Sequence, residues 1–79
     1  MLQEALEHCV RAIVSYPGDV HISTKKTTRG LLLQIRTNPE DVGKVIGRNG
    51  RTIQALRTLI NTLSENGNIR VDVLDKFGR

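Results

Sequence analysis

Two glycines three residues apart, Gly47 and Gly50, stand in the run Val42-Gly43-Lys44-Val45-Ile46-Gly47-Arg48-Asn49-Gly50-Arg51-Thr52-Ile53, between a short apolar pattern and a longer one. Such a grouping suits holding a phosphate chain. Glycine has no Cβ, so an anionic backbone can approach the turn. Arg48 and Arg51 add positive charge, and a helix beginning at Arg51 aims unpaired N–H groups and its positive dipole end at the same point. The middle pair, Arg48-Asn49, puts no acid where phosphate would be repelled. A Gly-x-x-Gly is a weak signal by itself in a chain with seven glycines; the flanking bases and the apolar patterns on both sides give it weight.

Other chemistry finds little support. The nucleotide-binding pattern Gly-x-x-x-x-Gly-Lys-[Ser/Thr] fails because the residue five after Gly43 is Arg48, and Gly-x-Gly-x-x-Gly does not occur. Glu40-Asp41 fits a helix start better than an acid/base pair. His8 and Cys9 are neighbours on a helix and face different ways, which makes Cys9 a core residue and His8 a surface one. His21 has no cysteine or acid at ligand spacing and reads as a strand surface residue. With two histidines and one cysteine, no catalytic triad, metal site or disulfide can be assembled. The expectation is a protein that is not an enzyme and needs no cofactor.

Charge narrows the partner. The net charge is +4, but it is unevenly spread: residues 1–24 carry a net −2, whereas residues 25–51 carry seven bases against two acids. Basic character concentrated around the glycine turn favours a polyanion. Tyr16 and Phe77 are the only aromatic residues, so modes that stack several bases on rings are poorly supplied. Lys25, Lys26 and Arg29 read as a solvated hairpin tip. At 79 residues, 38% hydrophobic and 25% charged, the chain is expected to be one small domain, residues 1–79, held by apolar packing. No apolar run approaches the roughly 18 residues of a membrane span and no signal sequence opens the chain, so it reads as cytosolic.

The elements that must position the turn follow from periodicity. Leu2, Ala5, Leu6, Cys9, Val10, Ile13 and Val14 make the stripe of one amphipathic helix that ends before Pro17. Val20, Ile22 and Thr24 alternate as a strand, and Leu31, Leu33 and Ile35 as a second, the pair reading as a hairpin. Asn38 caps a short helix with Pro39 at its first position and Glu40-Asp41 at its positive end. After the glycine turn, Ile53, Leu56, Leu59, Ile60 and Leu63 stripe a longer helix that Asn66-Gly67 stops. Ile69, Val71 and Val73 alternate as a last strand, followed by a polar tail from Asp75 to Arg79. The expected fold is α+β and two-layered: helix, strand, strand, helix, helix, strand, with three helices on one face of a three-stranded sheet. Two helices between the second and third strands suit a parallel, right-handed crossover, which makes the sheet mixed.

Helix, Gly-x-x-Gly turn, helix, set in this order of elements, resembles the type II KH domain, and a single module of this length is similar to the KhpA family of small bacterial RNA-binding proteins. The resemblance covers nearly the whole chain. It implies that Gly47, Arg48, Asn49 and Gly50 clamp the backbone of about four nucleotides of single-stranded RNA, with bases in an aliphatic groove. Carried over by position, Lys44 and Arg51 would flank the clamp, and Val45, Ile46, Gln54 and the strand around Ile35 would be candidates for the groove wall. It further implies an RNA chaperone or post-transcriptional regulator that pairs with a second copy or with a larger KH-containing protein of the Jag type. Leu32 and Leu74 on the polar sheet face, and Leu59 at the edge of the long helix, are the candidate contact residues. The alternative is a KH-fold protein-protein adaptor with no direct RNA role.

Overall fold

The computed structural model describes residues 2–64 and 69–74. Helix α1 (Leu2–Ile13) forms along the expected stripe: Leu6 and Val10, one turn apart, are fully buried, with Leu2, Cys9 and Val14 packed partly against them. Ile13 falls at the edge of the stripe and is exposed. Pro17 opens a single 3₁₀ turn, Pro17–Asp19, that ends the helical run and leads into the sheet. Gln3 stitches helix to sheet, its amide donating to the Ile22 carbonyl at 3.0 Å and accepting from the Thr24 hydroxyl at 2.7 Å.

Strands β1 (His21–Thr27) and β2 (Gly30–Arg36) form an antiparallel hairpin, with His21 opposite Arg36 and Thr27 opposite Gly30. Both run further than the hydrophobic alternation indicates. The connection shrinks to Thr28-Arg29, and Lys26, which the sequence assigns to the loop, is a strand residue. The Thr27 hydroxyl makes so tight a turn possible by donating to the Gly30 carbonyl at 3.0 Å and accepting from the Arg29 N–H at 3.2 Å. Strand β3 (Ile69–Leu74) pairs parallel with β2, Leu31 opposite Ile69 and Arg36 opposite Leu74, which gives the mixed sheet β1-β2-β3. Ile22, Leu33, Ile35, Ile69 and Val71 are buried on one face. The opposite face is open, so the two-layer α+β expectation holds.

Asn38 caps as expected: its side-chain oxygen accepts from the Glu40 N–H at 2.9 Å over a 3₁₀ turn, Pro39–Asp41, that runs into α2 (Val42–Ile46). A third 3₁₀ turn, Arg48–Gly50, leads into α3 (Arg51–Leu63). Ile53, Leu56 and Ile60 of α3 enter the core, and each such burial stabilises by about 1.5–3 kcal/mol. Leu59 and Leu63 do not: they are 37% and 52% exposed. The expected Asn66-Gly67 stop and the polar tail at 75–79 lie outside the described residues. No described helix is long and apolar enough to cross a membrane.

Candidate nucleic-acid interface

The two glycines are required for different reasons. Gly47 has φ +80°, and a Cβ built on it would lie 2.2 Å from Thr52 Oγ1 and 2.7 Å from the Thr52 backbone N. The turn folds back on the first residues of α3 so closely that only hydrogen fits, whatever binds outside. Gly50 also has a left-handed φ, +74°, but its missing Cβ faces nearly open space, the nearest atom being Ile53 Cγ2 at 4.0 Å. Asn49 joins them at φ 57°, a region that asparagine tolerates better than most residues. The turn is closed by the Gly47 N–H on the Gly43 carbonyl at 2.8 Å and the Gly50 N–H on the Gly47 carbonyl at 3.1 Å. Arg48, Asn49 and Arg51 are exposed on its outer side. No side chain caps α3; the Arg51 N–H donates to the Arg48 carbonyl, and the positive dipole end of the helix lies under the turn that carries the two arginines.

Beside this turn opens a groove of about 400 Å³, walled by Ile46 of α2, Ile53 and Arg57 of α3, Val73 and Leu74 of β3, with Asp72 and Gln34 at its border. Four aliphatic side chains give it an apolar lining. Its one cation is held in place: Arg57 Nε donates to the Val71 carbonyl at 2.9 Å and its terminal nitrogen reaches Asp72 Oδ1 at 3.3 Å. Further along α3, the Asn61 amide donates to the Ile69 carbonyl at 3.0 Å and accepts from the Ile69 N–H at 3.3 Å. Ile69 and Val71 thus present backbone groups to the free edge of β3 and are covered by side chains. By strand alternation Val73 presents its own N–H and C=O to the same edge, within the groove.

The expected wall needs correcting. Ile46 is where the sequence puts it, but Val45 is fully buried in the core and offers nothing to a ligand. Ile35 itself is likewise buried on the central strand β2, whose neighbouring Gln34 reaches the groove, and the edge strand β3 supplies the rest of the sheet side of the wall. Gln54 is exposed on α3 outside the groove lining. Lys44, two residues and so about 200° around the helix from Ile46, faces away from the groove. Its ammonium donates to the Ser15 hydroxyl and lies 3.7 Å from Asp41 Oδ1. Sequence reading missed Arg57, Asp72, Val73 and Leu74 as wall residues. The parallel crossover carried the signal, since it sets β3 at the edge beside α3.

Asp41, which reads as an acid at a helix start, is only 1% exposed. Its two oxygens accept from the backbone N–H groups of Ser15 and Tyr16, each at 3.0 Å, just beyond the C-terminal end of α1. Burial raises its pKa, but those two N–H groups and the Lys44 ammonium outweigh burial and hold the carboxyl below its ordinary 3.8. Fixed in this way, Asp41 ties the start of α2, and with it the glycine turn, to the end of α1.

An α-β-β-α-α-β chain that closes a parallel β2-β3 pair over two helices joined by a Gly-x-x-Gly turn is a type II KH domain. Residues 3–74 match the family described as KhpA/KhpB, KH domain, and the chain belongs to that family. It is 52% identical over 75 residues to the RNA-binding protein KhpA of Leifsonia xyli subsp. xyli, covering 95% of this chain and 99% of that one. It is 51% identical over 75 residues to the RNA-binding protein KhpA of Streptomyces coelicolor, covering 95% and 94%. The RNA-binding protein KhpA of Lactiplantibacillus plantarum is 44% identical over 70 residues, covering 89% and 82%.

Proposed function

We propose that this protein binds single-stranded RNA, holding phosphates at the Gly47–Gly50 turn and bases in the adjoining groove. The observation that carries the reading is the junction of the two: an uncapped helix start with Arg48 and Arg51 on its rim opens onto an apolar groove containing one oriented guanidinium. Phosphates meet the N–H groups and arginines, bases lie against Ile46, Ile53 and Leu74, and base edges meet Arg57 and the backbone of Val73. Lys44 and Val45 drop out of the binding set. Relatives named RNA-binding protein KhpA support the ligand class. The role fitted to such a module is that of a cytoplasmic RNA chaperone or post-transcriptional regulator with no catalytic step.

A module that holds about four nucleotides gains selectivity when a second module is linked to it, by effective concentration. Leu59 and Leu63, one turn apart and exposed on α3, support self-association or pairing with a larger Jag-type KH protein through that helix. Leu32 and Leu74 are half-buried, which favours the helix over the sheet face. The ligand is tested by titrating a short single strand and a duplex of the same sequence at several salt concentrations. Single-strand preference is expected, with a log-log salt slope of about −1.4 from Arg48 and Arg51. Equal or tighter duplex binding, or no salt dependence, contradicts the reading.

A further inference from the structure

We propose that Arg70, Lys25, Lys26 and Arg29 form a second phosphate-binding track, which takes the RNA strand as it leaves the groove and carries it to the tip of the β1-β2 hairpin. The inference rests on the RNA reading above and extends it to nucleotides outside the groove.

The strand register lays out the track. Lys25 stands opposite Leu32, and Leu32 opposite Arg70, so the two cations flank one leucine in a single row across the open sheet face. With neighbouring strands about 4.8 Å apart, their backbones are roughly 10 Å apart, and both long side chains can reach neighbouring phosphates. Lys26, opposite Leu31, points to the other face of the hairpin, and with Arg29 in the two-residue turn beyond it brackets the tip at which the row ends. The row also joins the groove: Asp72 lies 3.3 Å from Arg57, inside the groove, and 3.8 Å from Arg70, outside it. One carboxylate therefore sits between the last cation of the groove and the first of the track.

The cations are available. Arg70 keeps 72% of its side chain exposed, and its contact with Asp72 is long. Lys25, Lys26 and Arg29 are exposed and enter no ion pair among the described residues, where the other pairs involve Arg11, Lys44 and Arg57. Arg57 and Arg70 share the single carboxylate of Asp72, and Lys25, Lys26 and Arg29 beyond them have none, which makes a local excess of positive charge that a polyanion would neutralise. The occupant is already at hand. A strand held in the groove continues past it, so its flanking phosphates reach the track with no second partner.

The test uses the full chain with labelled random-sequence single-stranded RNAs of five and twelve nucleotides, titrated over a range of salt. Counterion release contributes about −0.7 to the slope for each phosphate neutralised on a single strand, independently of how many registers a longer strand offers. For the unaltered protein the twelve-nucleotide slope should be steeper than the five-nucleotide slope by about 2 to 3. Lys25→Ala/Lys26→Ala/Arg29→Ala should remove about 2 of that excess and leave five-nucleotide affinity within about twofold. As a second readout on the unaltered protein, backbone amide resonances of residues 25–30 should shift with the longer RNA and not with the shorter. Equal slopes for the two lengths, an equal loss on both, or unshifted hairpin amides overturn the track while the groove stands. Failure to bind either RNA overturns the track together with the reading it rests on.

Discussion

At the residue scale, the Gly-x-x-Gly turn divides into a glycine demanded from inside and a glycine demanded by its dihedral angle alone. Gly47→Ala meets Thr52 at below contact distance in addition to a left-handed φ, so it should cost about 2–4 kcal/mol and lower thermal stability even without RNA. Gly50→Ala meets open space and should cost about 1–2 kcal/mol. Denaturation of both variants checks the difference, and equal losses would contradict the inward role of Gly47. Asp41 makes a prediction of its own. Its folded pKa lies below its unfolded one, so its stabilisation is fully present above the unfolded pKa and is lost as pH falls through the folded pKa. Asp41→Asn leaves one of the Ser15 and Tyr16 N–H groups without an acceptor and should destabilise the fold near neutrality. That deficit relative to the unaltered protein should shrink at about pH 3. Urea denaturation at both pH values measures it, and a deficit that stays constant with pH would remove the linkage.

At the scale of elements, what could be read in the sequence was whatever repeats locally. The α1 stripe, the Asn38 cap and the strand alternation announced themselves by period and spacing, and the parallel β2-β3 pair followed from two intervening helices. What could not be read depended on which elements become neighbours. Nothing in residues 42–54 distinguishes Ile46, which faces the groove, from Val45, which enters the core, until β3 is known to lie beside α3. The partners of Asp41, Ser15 and Tyr16, come from a distant stretch of chain, so its spacing at a helix start gave no sign of them. Covering of the β3 edge belongs to this class too: Asn61, an ordinary polar helix residue in the sequence, pairs with both backbone groups of Ile69. Asn61→Ala should therefore destabilise by about 1–3 kcal/mol, far more than an exposed helix substitution, and bare the edge to other chains. Thermal denaturation tests this, a loss of a few tenths of a kcal/mol being the contrary outcome.

At the scale of the whole molecule, a net charge of +4 on 79 residues gathers its bases in residues 25–51, and α3 leaves two leucines exposed one turn apart. If the exposed Leu59 and Leu63 mediate association, sedimentation at micromolar concentration should show a dimer that Leu59→Asp converts to a folded monomer. A dimer indifferent to Leu59→Asp and broken by Leu32→Asp would move the interface to the sheet. The central claim is that the Gly47–Gly50 turn holds RNA through charge and backbone on its outer side. Arg48 and Asn49 are both exposed there, so replacing them with two aspartates should leave the fold unaltered and set two carboxylates against the phosphates. The direct measurement is RNA titration of Arg48→Asp/Asn49→Asp beside its circular dichroism spectrum. A folded variant that no longer binds RNA is the predicted result, and a folded variant that binds as tightly as the unaltered protein would contradict the claim.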